Sequence, residues 1–84
     1  MEITLSDGKK AEMTPGTGRD LIEAQRIAGG SQDQLALALA SRLLRVGGKP
    51  IVYEDLLDWP LVDVVAAIDA LNGSLGKVLS RTNG

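Results

Sequence analysis

Glu54, Asp55 and Asp58 stand together in "YEDLLD", with the two aspartates three residues apart. Carboxylates at that spacing share one side of a helical turn. Such a pair can hold a divalent cation, or divide the roles of acid and base. A calcium loop also needs a glycine at a fixed offset, and none stands here. The simpler expectation is a solvated turn whose carboxylates cap a helix. "GTGRD", residues 16–20, suggests a phosphate-cradling loop. Loops of that kind follow a strand, carry more glycine, and continue with Lys-Ser/Thr. This pattern is shorter and reads as a turn leading into a helix.

The rest of the chain offers little to complete a reactive site. Its 84 residues include no His and no Cys. The commonest general base, the commonest metal ligand and the thiolate nucleophile are therefore all missing. A hydrolase triad or zinc centre would have to be built from carboxylates and Lys. No enzyme, cofactor or metal is expected. The net charge is −2, with both signs interspersed and no basic run. One Trp and one Tyr, Trp59 and Tyr53, are the only aromatics. Nucleic acid is thus not expected as the main partner. No stretch approaches the roughly 20 apolar residues of a membrane span. Glu2 is acidic and no apolar stretch of signal-peptide type follows, so a cytoplasmic location is expected.

The elements that would carry these residues can be read from periodicity. "EITLSDGKKAEMT" alternates apolar and polar residues on both sides of Asp7-Gly8. Both turn residues tolerate positive φ, so a β-hairpin of residues 2–6 and 9–14 is predicted. A lone hairpin is unstable in water, so helices must cover its apolar face. Thr17 is a good N-cap, with Asp20 three residues on, and a first helix is predicted over 18–28. Leu21, Ala24 and Ala28 form its stripe, and Gly29-Gly30 ends it. Ser31 and Gln34 make a Ser-x-x-Gln capping box for a second helix over 32–46. Gly47-Gly48 ends that helix. "GGKPIVYEDLLDWP" is a connector with a short helical turn at 53–58 that places Leu56 and Leu57 in the core. Pro60 suits the first position of a third helix. Leu61, Val64, Val65, Ile68 and Leu71 are its stripe, and Asn72-Gly73 ends it. The fold class is α+β: an N-terminal β-hairpin on about three helices. It is one domain over 1–73, with a flexible C-terminal tail over 74–84.

The second helix is apolar on more than one face. Leu35, Leu39, Leu43 and Val46 make one stripe; Leu37, Ala40 and Leu44 make another. A domain this small buries only roughly 60–65% of its unfolded surface, so one core does not obviously need both. Either the hairpin covers the second stripe, or it forms a groove awaiting a partner. Trp59 is either a core residue beside Leu61 or an exposed anchor, since Trp is enriched at interface hot spots. A helix-turn-helix reading of the first two helices is allowed by the short Gly29-Gly30 turn. Its recognition helix would offer only Gln32 and Gln34 to base edges.

The order of motifs carries a resemblance. A hairpin on "SDGKK" leads into "TGRDLIEAQRIAGG", a Leu-rich helix, and then "GGKPIVYEDLLDWPLVDVVAAIDALNG". This resembles the phage tail assembly chaperone family, of the protein E type found in P2-like and Mu-like phages and prophages. The resemblance covers about residues 1–73, with Trp59 standing where a small apolar residue is expected. It implies a non-catalytic protein of the bacterial host cytoplasm, absent from the mature virion. It also implies binding to the long, helical tape measure protein and aid to the tail tube protein in assembling around it. An amphipathic helix laid into an apolar groove is a known recognition mode. The candidate partner-binding residues are Leu37, Ala40, Leu44, Trp59, Leu75 and Leu79. The alternatives are a small prophage DNA-binding regulator and a self-assembling structural tail component, for which homo-oligomers are expected.

Overall fold

Alternation of apolar and charged residues makes two antiparallel strands, β1 (Glu2–Thr4) and β2 (Lys10–Met13). In the computed structural model, which describes the backbone over 2–83 and side chains over 2–73, they pair as Glu2↔Glu12, Ile3↔Ala11 and Thr4↔Lys10. The loop between them closes when the Gly8 N–H donates to the Leu5 carbonyl at 2.9 Å. Gly8 takes a φ of 90°, but Asp7 does not enter the left-handed region expected of it. Asp7 instead uses its side chain, with Oδ1 accepting the Lys9 N–H at 3.0 Å. This local bond stabilises the turn without positive φ.

Helix α1 (Gly18–Ala28) has the bounds its sequence predicts. Asp20 Oδ2 accepts the Thr17 N–H at 3.0 Å, satisfying one orphan donor. Helix α2 (Gln32–Leu43) is capped by Ser31, whose Oγ accepts the Gln34 N–H at 3.4 Å. The reciprocal half of the expected box is not made, because the Ser31 N–H goes to the Ala28 carbonyl at 3.1 Å.

The largest departure from the sequence reading comes next. The second helix stops at Leu43, and Leu44–Val46 form strand β3. β3 pairs with β2 as Met13↔Leu44, Glu12↔Arg45 and Ala11↔Val46. Gly47 (φ 60°) and Gly48 (φ 81°) then turn the chain into β4 (Lys49–Pro50). Two consecutive left-handed glycines are the signature of a two-residue hairpin, with Val46 facing Lys49 across it. The sheet is four-stranded and antiparallel in the order β1-β2-β3-β4. The open edge of β2 offers hydrogen bonds that an extra helical turn would forgo. The helix end is also well satisfied. Thr14 donates its N–H (2.9 Å) and its hydroxyl (2.7 Å) to the Leu43 carbonyl. Arg45 donates to the carbonyls of Arg42 and Leu44, each at 2.9 Å. Tertiary pairing overrides the local preference for helix.

Helix α3 (Tyr53–Leu57) is the short helical turn expected, and α4 runs Leu61–Asn83. The Asn72-Gly73 stop does not end α4. A single helical Gly costs only about 1 kcal/mol against Ala, which neighbouring turns can offset. Residues 74–84, expected as a flexible tail and containing Leu75 and Leu79, lie outside the described side chains.

Helix α2 sits at the centre. Its Ala40 and Leu43 join Leu5, Met13, Leu44, Leu56, Ala67 and Leu71 in the main core. Outside that cluster, α1 packs along α2, and the two helices bury Ala24, Ala28, Ala38 and Ser41. The buried Ser41 hydroxyl donates to the Ala38 carbonyl at 2.7 Å, so no donor is stranded. The architecture is α+β, as expected, with a sheet twice the size predicted.

Candidate functional site

The second stripe of α2 is not a groove. Ala40 and Leu44 are fully buried, and Leu37 is half-buried against the same core. Leu44 is not on a helix at all. It lies in β3 opposite Met13, on the covered face of the sheet. The physical reason is the second hairpin, which supplies the cover that a two-stranded hairpin lacked. Leu37, Ala40 and Leu44 therefore belong to the domain's own interior. The stripe taken as core, Leu35, Leu39, Leu43 and Val46, is the less buried of the two, with only Leu43 buried.

Exposed apolar surface lies elsewhere: on α1 at Ile22, Ile27 and Leu21, the last expected in that helix's covered stripe, at Val52, and most strongly at the α3–α4 junction. Leu57 is 47% exposed, Leu61 77%, Val62 65% and Val65 49%. Leu61 and Val65 were expected in the core, as was Leu57. The helix presents Asp63, Ala67, Ala70 and Leu71 inward instead. This rotation follows from a polar anchor. Asp63 accepts hydrogen bonds from Ser6, through the backbone N–H to Oδ1 (2.8 Å) and through Oγ to Oδ2 (2.7 Å). Fixing Asp63 against the first hairpin turns residues 61, 62 and 65 outward, because they lie within about 100° of one another on a 3.6-residue helix. A charged residue facing inward hid this arrangement from the apolar periodicity.

Trp59 sits between Leu57 and Leu61, half-buried against the core. Its backbone N–H donates to the Leu56 carbonyl at 3.2 Å, and Pro60 follows just before α4. Trp59 lines a groove of about 340 Å³ between the β1–β2 loop and α3. Leu5, Val46, Ile51 and Trp59 are the apolar lining, with Asp7, Lys9, Asp55 and Asp58 as the charged lining. Asp55 is held in place by accepting the Val52 N–H on Oδ2 at 3.3 Å. Asp58 is the C-cap of α3, with its N–H on the Asp55 carbonyl at 3.2 Å. Lys9 and Asp7 form an ion pair at 3.9 Å with both side chains largely in water.

The remaining candidate chemistry resolves into structural roles. Among the described residues, no three His, Cys, Asp or Glu side chains cluster as a metal site. Gly16 of "GTGRD" is a packing residue, since a Cβ there would lie 2.7 Å from Leu43 Cδ2. Asp20 of the same stretch accepts two hydrogen bonds from Arg42, from Nε at 3.1 Å and a terminal nitrogen at 3.0 Å. Its carboxyl titrates below the usual value because of the Thr17 backbone N–H first and the Arg42 hydrogen bond second; burial opposes both. On α2 only Gln32, Asp33 and Gln34 are exposed, and the rest of the helix is packed on its neighbours. Among the described residues, no helix is long and apolar enough to cross a membrane.

Comparison of the chain with protein-family models, with curated proteins and with solved structures finds no match.

Proposed function

We propose that this protein is a non-catalytic tail assembly chaperone of a phage or prophage. It binds helical segments of the tape measure protein in the host cytoplasm and holds them for tube assembly. The observation that carries this reading is the apolar surface at the α3–α4 junction, where Leu61 is 77% and Val62 65% exposed. Apolar side chains grouped in this way on a small domain mark a surface that another chain covers. The motif order from "SDGKK" to "DALNG" supports the family and the partner class. The absence of His and Cys from the sequence accords with a binding role.

Co-expression with a phage tape measure protein, the long helical partner the reading names, tests it. The partner is expected to stay soluble and to co-purify with the wild-type chain. Leu61→Gln with Val65→Gln is expected to abolish co-purification while leaving the domain folded. A partner that stays insoluble with the wild-type chain overturns the proposal.

A further inference from the structure

We propose that the groove beside Trp59 docks a cationic amphipathic segment, with apolar side chains on the groove's lining and Lys or Arg at its acidic rim. The inference rests on the reading that the protein binds a helical partner, and it adds a second contact surface and the chemistry of the segment. The apolar lining is Leu5, Val46, Ile51 and Trp59. The rim carries Asp7, Asp55 and Asp58 against a single Lys9. Glu54 is exposed beside them on α3. Among the described residues, none of these four carboxylates is neutralised by a close Arg or Lys, except for the loose Lys9–Asp7 pair at 3.9 Å.

Charge decides between occupants. A second copy docked face to face would set Asp55 and Asp58 against their own counterparts, and like-charge juxtaposition disfavours it. An acidic partner meets the same repulsion. A segment with Lys or Arg flanking an apolar stripe satisfies both the lining and the rim. Rim charges of this exposed kind act mainly on selectivity and encounter rate. The apolar stripe supplies most of the contact, and Leu57 and Leu61, both exposed, flank Trp59 along the chain.

The chain's single Trp reports on this groove directly. The probe is a short synthetic amphipathic helix of Leu and Lys, free of aromatics, added to the full chain. A matched peptide carries Glu in place of Lys. The expected result is a saturable change in Trp59 fluorescence with the Lys peptide, weakened by salt. The Glu peptide is expected to give none. Asp55→Asn with Asp58→Asn is expected to weaken Lys-peptide binding about fivefold, as removal of exposed ion pairs does. Asn at 55 keeps an acceptor for the Val52 N–H, so the fold is retained. Equal binding of both peptides, no binding of either, or a fluorescence change that appears on self-association without peptide each overturns the inference. Failure here is distinct from failure of the chaperone reading. A tape measure segment that co-purifies equally well with the Asn variant removes the charge selection and leaves the chaperone. Lys-peptide binding without tape measure binding does the reverse.

Discussion

Ser6 and Asp63 are 57 residues apart in sequence and joined by two hydrogen bonds, 2.8 and 2.7 Å long. The pair ties the first hairpin loop to the first turn of α4. Asp63 is only 6% exposed, and it lies where the positive end of the helix dipole favours a carboxylate. Hydrogen bonds to a charged group contribute about 1.5–3 kcal/mol. Asp63→Ala is therefore expected to cost about 2 kcal/mol, and Asp63→Asn about half of that, because Asn keeps one acceptor for the Ser6 N–H. Urea midpoints of these variants, with Ser6→Ala to complete a double-mutant cycle, check it. A cycle that shows no coupling removes the anchor as the reason why α4 is rotated as it is.

Gly16 and Gly18 are neighbours with opposite constraints. A Cβ at 16 meets Leu43 Cδ2 at 2.7 Å, whereas a Cβ at 18 meets nothing within 4 Å. Leu43 is buried and has little room to yield. Gly16→Ala is expected to destabilise by about 1–2 kcal/mol through overpacking. Gly18→Ala lies inside α1 and is expected to stabilise by about 0.5 kcal/mol by restricting the unfolded chain. Thermal melts of the two variants should shift in opposite directions.

Asp20 links stability to pH. The Thr17 N–H and the Arg42 guanidinium hold its carboxyl below the ordinary value of 3.8. A folded-state value below the unfolded one means that the unfolded chain binds the proton first. The stabilisation is therefore fully present above the unfolded value near 3.8 and is lost as pH falls through the lower folded value. Asp20→Asn should be less stable than the parent at neutral pH, and the gap should close in acid. Denaturant titrations from neutral pH down to pH about 2 read this directly. A gap independent of pH would assign the loss to the cap geometry alone.

Local signals gave the right elements wherever the chain's own neighbours decide the conformation. Thr17, Asp20 and the Gly29-Gly30 pair bound α1 within a few residues, so its limits were legible. The same holds for "YEDLL" as α3. The Gly47-Gly48 pair was misread because a helix stop and a hairpin turn both call for left-handed glycine. What separates them is whether the flanking residues find a strand to pair with. For Leu44–Val46 that strand is β2, more than 30 residues upstream, and no local pattern announces it. The alternation of Arg45 between Leu44 and Val46, followed by Gly-Gly, was the one available hint. The expected groove of Leu37, Ala40 and Leu44 departs from the structure for the same reason. Leu37, Ala40 and Leu44 looked surplus only while the sheet was counted as two strands. The exposed face of α4, around Leu61 and Val62, is hidden from apolar periodicity by Asp63, an inward carboxylate whose partner Ser6 lies 57 residues away in the chain.

Leu44 and Leu61 offer the sharpest test of that exchange of roles. Leu44 is fully buried in β3, and Leu61 is 77% exposed at the start of α4. Truncating a buried Leu costs about 3 kcal/mol through lost transfer energy and the cavity left behind. At about 0.05–0.15 kcal/mol per residue, a small domain has a total stability not far above that loss. Leu44→Ala is therefore expected to leave a marginal fold, and Leu44→Gln to unfold the chain by adding an unsatisfied amide to the core. Leu61→Gln removes a side chain that already stands in water, and its effect on stability should stay within about 0.5 kcal/mol. Far-ultraviolet circular dichroism with urea titration separates the two cases, and a partner-binding assay on the folded variant completes the comparison. A Leu61→Gln chain that unfolds would return α4 to the rotation that apolar periodicity first suggests, with Leu61 and Val65 in the core.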